Sequence, residues 1–239
     1  MIKVGCCGFP VARKEYFKNF GLVEVQKTFY KPPKLETAIK WREEAPQEFE
    51  FAVKAWQLIT HPPSSPTYRK AGIGVANESK YGYFRPTKEV FDAWERTAEI
   101  ADALKAEVVV FQCPASFKEE KGGIRNMREF FSSIDRKFIY AWEPRGKWND
   151  AAVKKICEEL GIIHCVDPFK NESVYGTPKY FRLHGKNGYR YDYSIEELQE
   201  LREVCKNGAY CLFNNTKMYK NAIEFKNLIG NENLRAQKR

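Results

Sequence analysis

The sequence lacks any segment suited to a membrane. No stretch of the 239 residues approaches the ~20 uninterrupted apolar residues that a spanning helix needs. The start, Met1–Gly5, leads directly into a strand-like run and lacks the charged, apolar and small-residue sections of a signal peptide. We therefore expect a cytoplasmic protein without a membrane partner.

The sequence also lacks the common cofactor and metal motifs. Neither GxGxxG nor GxxxxGK[ST] occurs, and the turn after the first strand-like run reads Gly-Cys-Cys-Gly-Phe-Pro. The seven cysteines include no CxxC pair, and their odd number excludes a fully paired disulfide framework. We expect reduced, buried thiols and no structural zinc site, and the lack of a nucleotide-cofactor motif leaves the cofactor unknown.

What is abundant is positive charge. Lys and Arg number 40 against 31 Asp and Glu, giving a net charge of +9, and hydrophobic residues make up 43% of the chain. That balance is typical of a globular protein. The excess is spread along the chain, so it fits a nucleic-acid or anionic-metabolite partner but equally a solvated basic surface.

Short β-rich runs alternate with longer helical patterns. The runs are residues 3–7, 22–27, 49–56, 107–113, 138–143, 162–167, 179–184 and 209–213. The helical patterns are residues 12–20, 34–45, 87–105, 120–134, 149–160, 194–206 and 217–229. This alternation predicts parallel strands joined by crossover helices.

Eight such units in a chain of this length predict an α/β fold, a single TIM-like (β/α)8 barrel over residues 1–229. The link 168–178 is too short and polar for a full helix, so the helix after strand six is incomplete. Residues 230–239 are expected to form a short, frayed basic tail. The connection 57–86 is long enough to serve as a lid.

Polar residues recur where the predicted strands end. In a TIM barrel alternate strand residues point inward, and the carboxyl ends of the strands surround the active-site mouth. Some polar residues are expected to face the mouth because of this alternation, and others because they directly follow a strand. They are Glu24, Gln26, Lys54, Gln112, Glu143, Arg145, Asp167, Arg182, His184, Asn214 and Asn215.

Two interpretations of these polar positions stay open. Lys54, Arg145 and Arg182 could hold phosphate or carboxylate, while Glu24, Glu143 or His184 moves protons. Alternatively, the cations and carboxylates neutralise one another in a structural ion-pair cluster, since buried charges are costly unless paired.

The histidines differ in expected position. His184 lies on the inward face of strand seven and is the first candidate for acid/base chemistry, because imidazole exchanges protons near neutral pH. His61 follows strand three and is expected at the mouth. His164 has the outward alternation of strand six and is expected to pack against a helix.

Two segments interleave aromatic and basic residues. Residues 57–86 carry four aromatic rings among Arg and Lys, and residues 185–193 contain Tyr-Arg-Tyr-Asp-Tyr. Such segments can stack on bases while holding phosphate, or they can fold a loop onto its own barrel.

Several short motifs together resemble one family. They are FAVKA (51–55) followed by ITH (59–61), VEVQ (23–26), FQCP (111–114), RLHG (182–185) and FNNT (213–216). In this order they are similar to the domain-of-unknown-function 72 family, also called YecE-like. The resemblance spans about residues 1–222.

The resemblance implies a TIM-like barrel and no defined activity. It implies that the pocket is lined by Glu24, Lys54, His61, Gln112, Glu143, Arg182, His184 and Asn215. The chain departs from the family's pattern in its first turn, which has Cys6-Cys7, and after strand five, where a histidine is absent. The barrel is also distantly similar to the endonuclease IV and xylose isomerase group. The few His and carboxylate residues here argue against the multi-metal site of that group and leave a single divalent ion open.

Three functional hypotheses follow. The first is an enzyme that acts on a polar, anionic small molecule by general acid/base chemistry, with Glu24, Glu143 and His184 catalytic. In this hypothesis Gln26, Lys54, His61, Gln112, Arg145, Asp167, Arg182, Asn214 and Asn215 bind substrate. The second is a nucleic-acid-binding or nucleic-acid-processing protein. The third is a non-catalytic scaffold with a structural polar core.

Overall fold

Each predicted run forms a parallel strand, and the strands close into one barrel in sequence order in this computed structural model. The structure describes residues 1–236, with side chains to residue 230. The strands are β1 (Ile2–Cys7), β2 (Leu22–Val25), β3 (Glu50–Lys54), β4 (Val108–Gln112), β5 (Ile139–Glu143), β6 (Ile163–Val166), β7 (Lys179–Leu183) and β8 (Ala209–Phe213). Pairing of β1 with β8, with Ile2 opposite Ala209, closes the barrel, so the described sheet has no free edge. The TIM-like barrel prediction is confirmed.

Helices cover the outside of the barrel. They are α1 (Arg13–Asn19), α2 (Lys27–Tyr30), α3 (Leu35–Glu44), α4 (Gln57–Thr60), α5 (Pro66–Ala71), α6 (Lys88–Ala103), α7 (Lys121–Ser132), α8 (Asp150–Leu160), α9 (Ile195–Cys205) and α10 (Met218–Ala236), with a 3₁₀ helix at Glu78–Lys80. Local sequence sets their ends. Ser194 and Glu197 form a reciprocal capping box that begins α9. Gly161, with φ of 60°, ends α8 in the left-handed conformation that favours glycine.

The alternation along the strands separates two apolar layers. Val108 and Val110 of β4 join the cluster inside the barrel, with Ala52 and Ala141 from the neighbouring strands. Residues of the opposite alternation, such as Phe111, pack outward against the helices. Because the two layers follow strand alternation, the polar residue at the inward end of each strand is directed to the barrel mouth.

Two segments differ from the sequence-based expectation. Strand β2 ends at Val25, and of the two residues expected to extend it, Gln26 precedes and Lys27 begins the short helix α2. The connection 57–86 contains α4, α5 and the 3₁₀ helix, and its end is fixed to α4. The N–H groups of Gly82 and Phe84 donate to the carbonyl oxygens of Leu58 and Ile59, at 2.8 and 2.9 Å. The end of this connection is therefore hydrogen-bonded back to its beginning.

The remaining connections mostly agree with expectation. The fully described stretch 167–178 between β6 and β7 contains no helix. Helix α10 continues to Ala236, so the chain does not leave the helical conformation at residue 230 as expected. Residues 237–239 of the expected tail lie outside the described residues.

The structure can be compared with two sequence-based expectations, one on the cysteines and one on membrane-spanning segments. All seven cysteines are buried and have free thiols, as expected for small core residues. Among the described residues, no helix combines the length and apolar character that crossing a membrane requires.

Candidate functional site

The predicted polar residues gather at the carboxyl end of the barrel. The residues on strands are Glu24 on β2, Lys54 on β3, Gln112 on β4, Glu143 on β5 and Arg182 on β7. The residues that follow strands are Gln26, His61, Arg145, Asp167, His184, Asn214 and Asn215. Some of these side chains are hydrogen-bonded to one another, and others are not.

Arg182 is the centre of the hydrogen-bonded group. Its side chain is 0% exposed. The Nε and Nη2 groups reach the two oxygens of Glu24 at 3.0 and 2.9 Å, and Nη2 also lies 3.4 Å from Oε1 of Gln26. Nη1 donates to Glu143 and, at 3.1 Å, to Oε1 of Gln112. A guanidinium has five N–H groups, and here all five have an acceptor. Arg182 therefore has no donor left for a ligand, contrary to its expected role in binding an anion.

Glu24 lies behind Arg182 and is fully buried. Besides Arg182, its carboxylate accepts from the hydroxyl of Tyr180 at 2.8 Å and from the amide of Gln26. These contacts occupy both oxygens within the barrel. Glu24 is therefore bonded to Arg182, Tyr180 and Gln26 and, contrary to the expectation for a catalytic residue, has no exposed surface.

Glu143, Arg145 and His184 form a second group closer to solvent. Oε1 of Glu143 accepts from Nε of Arg145 at 2.9 Å and lies 3.1 Å from Nε2 of His184. Nη2 of Arg145 lies 2.8 Å from the same His184 nitrogen, and Nδ2 of Asn214 lies 3.0 Å from Nδ1. The Arg145 side chain is 31% exposed, so its guanidinium bridges the buried network and solvent.

The charges of this second group and of Arg182, together with burial, set the protonation states of Glu143 and His184. Burial alone would raise the pKa of Glu143, but the Arg182 and Arg145 guanidiniums and His184 hold it well below 4.5. Burial lowers the pKa of His184 below 6.5, against the opposing effect of Glu143. Glu143 is therefore a fixed carboxylate, and His184 is neutral at pH 7.

Each neutral proton arrangement of the His184 ring satisfies one of the two groups at Nε2 and mismatches the other, because Nη2 of Arg145 lies 2.8 Å and Oε1 of Glu143 lies 3.1 Å from that nitrogen. With the proton on Nε2, the ring donates to Glu143 and accepts from Asn214. With the proton on Nδ1, Nε2 accepts from Arg145, and the ring donates to Asn214 once its amide is reversed. An imidazole held between these partners can take up or release a proton with little movement.

Lys54 stands apart from both groups. It is 5% exposed, and its ammonium nitrogen lies 3.6 Å from the centre of the Phe29 ring, but it has no hydrogen-bond acceptor among the described residues. Burial and the Arg182 charge lower its pKa to about 7, against the opposing effects of Glu143 and Glu24. His61 lies nearby, edge-on to Phe29, with Nδ1 2.8 Å from the Thr60 hydroxyl. Burial and the charges of Lys54 and Arg145 lower the His61 pKa to about 3, so His61 stays neutral.

Two of the predicted binding residues have structural partners. The Asp167 carboxylate accepts the backbone N–H groups of Phe169 and His184, at 3.1 and 2.9 Å, and so fixes the end of β7. Nδ2 of Asn215 donates to the Tyr191 carbonyl and to Asn221 of α10, at 2.7 and 2.8 Å. Asn215 thus holds the loop 185–193 against α10 and does not join the groups at the mouth.

A cavity of about 260 Å³ opens beside the second group, between the ends of β5 and β6, helix α8 and His184. Its charged and polar lining includes Glu143, Arg145, Asp167, Lys170 and His184. The imidazole and one cation of the mouth therefore meet a space large enough for a small molecule. Lys54 does not line this cavity. No cluster of three or more His, Cys, Asp or Glu within the described part of the chain has the geometry of a metal site.

Four further residues shape the mouth, and of these the sequence analysis had singled out only Tyr189, within the segment 185–193. Tyr180 bonds Glu24 and shares the inward alternation of Arg182, a signal that was available in the sequence. Phe29 lies over Lys54, on the short helix α2 that the sequence analysis did not predict. Tyr189 packs edge-on to His184 at 5.8 Å and is 52% exposed. Lys170, in the link after β6, also lines the cavity.

Comparison with known proteins gives a family match. The model of a family described as "Protein of unknown function DUF72" matches residues 12–238. Two crystal structures of a DUF72 family protein from Enterococcus faecalis V583 are similar, each with a TM-score of 0.75. Their identities to this chain are 17% and 20%. The matches cover 96% of this chain in both cases and 96% and 98% of the other chains.

Other solved structures share the barrel at lower similarity. Endonuclease IV from Thermus thermophilus has a TM-score of 0.55 and 9% identity, over 96% of this chain and 98% of that chain. A xylose isomerase domain containing protein from Salmonella typhimurium has a TM-score of 0.54 and 13% identity, over 91% of each chain. No curated protein matches the sequence. At these identities the likeness shows the fold alone.

Proposed function

The chain belongs to the DUF72 family, and from that premise we propose that it is an enzyme that binds an anionic small molecule at the barrel mouth and transfers a proton through His184. The observation that carries this proposal is the arrangement of Arg145, Glu143 and His184 at the cavity. Glu143 stays ionised and orients the ring, Arg145 offers a partly exposed cation, and the neutral imidazole exchanges the proton. Arg182, which is bonded to Glu24, donates to Glu143 from inside the barrel and so fixes its position.

The expected ligand is an anion because two cations line the cavity. Arg145 keeps part of its guanidinium exposed. Lys170 lines the same cavity as Arg145. Phosphate and carboxylate are the anions that arginine binds best, because its planar fork of donors matches their oxygens.

Inorganic phosphate is expected to stabilise the wild-type protein against thermal unfolding. At about 100 times its dissociation constant the gain is ~2.7 kcal/mol by mass action. The gain should be lost in Arg145→Met and retained in Arg128→Met, which removes an exposed arginine paired with Glu159 far from the mouth. Equal stabilisation of both variants, or stabilisation by neutral sugars alone, would contradict the anion site.

Anion binding is also expected to raise the pKa of His184. A nearby negative charge favours the imidazolium form, so the ring should titrate at higher pH with phosphate bound than without. The chain has only three histidines, so ring resonances can be assigned by NMR. An unchanged His184 titration at saturating phosphate would place the anion away from the proposed proton carrier.

One observation favours a nucleic acid as a second candidate ligand. Tyr189 is half exposed beside His184, and the exposed Arg190 follows it. An exposed ring with an adjacent cation can stack on a base and hold its phosphate. If this candidate is correct, a short single-stranded DNA should bind with a steep salt dependence and lose affinity in Tyr189→Ala. Binding of phosphate with a shallow salt dependence, unaffected by Tyr189→Ala, favours the small-molecule enzyme.

A further inference from the structure

Lys54 lies at the mouth but belongs to neither of the two hydrogen-bonded groups there. It ends β3 on the inward face, in register with Val110 of β4. Its backbone is fixed, since the Lys54 carbonyl accepts from the Thr28 hydroxyl at 2.6 Å. The residue is 5% exposed, and its amine has no acceptor among the described residues, although Glu24 and Glu143 lie in the same mouth. Those carboxylates are bound to Arg182, so they do not pair with Lys54.

Burial and the neighbouring cations favour an uncharged Lys54 amine, whereas the Phe29 ring, in cation–π contact at 3.6 Å, favours the ammonium form. The cations Arg182 and Arg145 disfavour its ammonium form, whereas Glu143 and Glu24 favour it more weakly than burial disfavours it. His61 is the remaining titratable group near it, and that ring is neutral. The face of the Phe29 ring covers the nitrogen on one side. With a pKa of about 7, about half of the Lys54 side chains are free amines at neutral pH.

We propose that Lys54 is a nucleophile that forms an imine with the carbonyl group of an anionic aldehyde or 2-oxo acid. This inference rests on the proposed function, because it assigns the anionic group of the same ligand to Arg145. A desolvated lysine beside other cations is the form in which an amine attacks a carbonyl group at neutral pH. It also explains why an unpaired amine is buried at the mouth: the lone pair must stay free to react.

The reaction balances without an external reagent. The nitrogen lone pair forms a bond to the carbonyl carbon, and the C=O π electrons move to oxygen. A proton passes from nitrogen to that oxygen to give the carbinolamine. Loss of the oxygen as water, with a second proton, leaves the C=N bond of the imine. The net change is amine plus carbonyl giving imine plus water, with no oxidation or reduction.

Reductive trapping tests this inference with two probes of matched size. Glyoxylate is an anionic aldehyde, and glycolaldehyde is its neutral counterpart. Sodium cyanoborohydride reduces the imine to a stable secondary amine, so each adduct adds the mass of the aldehyde less one oxygen atom. The full-length protein is treated at pH 7, and labelling of Lys54 is compared with labelling of Lys88, whose side chain is 81% exposed.

Glyoxylate is expected to label Lys54 at least about tenfold faster than Lys88, because an ordinary lysine is almost entirely protonated at pH 7. The labelling rate of Lys54 should reach half its maximum near pH 7. In Lys54→Met the fast-labelled site should disappear while labelling of Lys88 is unchanged. Glycolaldehyde should label Lys54 more slowly than glyoxylate, and Arg145→Met should remove that difference.

The outcomes separate this inference from the function on which it rests. If neither aldehyde labels Lys54 faster than Lys88, the imine is overturned, even if phosphate still stabilises the wild type and not Arg145→Met. If both aldehydes label Lys54 equally fast, the nucleophile stands and the anion site is contradicted. Fast labelling by glyoxylate alone supports both.

Discussion

Replacing Arg182 with methionine is expected to lower the free energy of unfolding by roughly 3–5 kcal/mol. The guanidinium is fully buried between Glu24 and Glu143, so its loss leaves two buried carboxylates without their shared cation. Gln112 and Gln26 would also lose a donor each. Chemical denaturation at pH 7 measures the loss.

The matched control for this prediction is Arg128→Met, which removes an arginine paired with Glu159 on the exposed surfaces of α7 and α8. Such pairs contribute little, so this variant should stay close to wild type. If Arg182→Met does not fold, the conservative variant Arg182→Lys should fold with intermediate stability, because it keeps the charge but loses most of the five hydrogen bonds. Wild-type stability in Arg182→Met would mean that Arg182 is free for a ligand after all.

The stability of the wild-type protein is expected to rise between pH 7 and 10.5 because of Lys54. Its pKa is about 7 in the folded protein and 10.5 as its ordinary value. Below pH 7 both states bind the proton, and the folded protein carries the full cost of the buried charge. Between these values the unfolded chain binds a proton that the folded chain does not, so stability increases with pH. The contribution of the single group is about 5 kcal/mol over the whole interval.

Comparison with Lys54→Met isolates this contribution from other groups that titrate in the same range. At pH 7 the variant should be more stable than wild type by roughly 1–4 kcal/mol, because an apolar side chain replaces an unpaired buried charge. The difference should shrink as the pH rises toward 10.5. The same series on Lys88→Met, which removes an exposed lysine, should parallel wild type at every pH. A constant difference between wild type and Lys54→Met would show that the Lys54 amine does not titrate in this interval.

The sequence predicted the fold well because barrel strands carry a local signal. Alternating apolar residues and short polar connections marked all eight strands, and the seven longer helices followed from their apolar patterns. Short helices were missed where the local pattern resembles a strand. Residues 22–27 read as one extended run, yet α2 begins at Lys27, and Phe29 turns back over Lys54. That turn depends on contacts with β3, which no local pattern shows.

Strand alternation also located the candidate site, but it could not assign the role of each residue. It placed Glu24, Lys54 and Arg182 at the same mouth without showing which charges pair. Arg182 takes both carboxylates because it reaches Glu24 and Glu143 with different edges of one planar group. Lys54 is thereby left without a counter-charge. Asn215 could not be separated from Asn214 by sequence, because only the direction of the turn after β8 decides which amide faces His184.

One set of unfolding measurements tests whether Arg182 has a structural role while Arg145 and Lys54 are available to a ligand. Denaturation at pH 7 is compared for Arg182→Met, Arg145→Met and Lys54→Met. We predict a large loss of stability for Arg182→Met, a small change for the partly exposed Arg145, and a gain for Lys54→Met. Large losses in all three variants would contradict this account and identify the polar residues of the mouth as a structural ion-pair network.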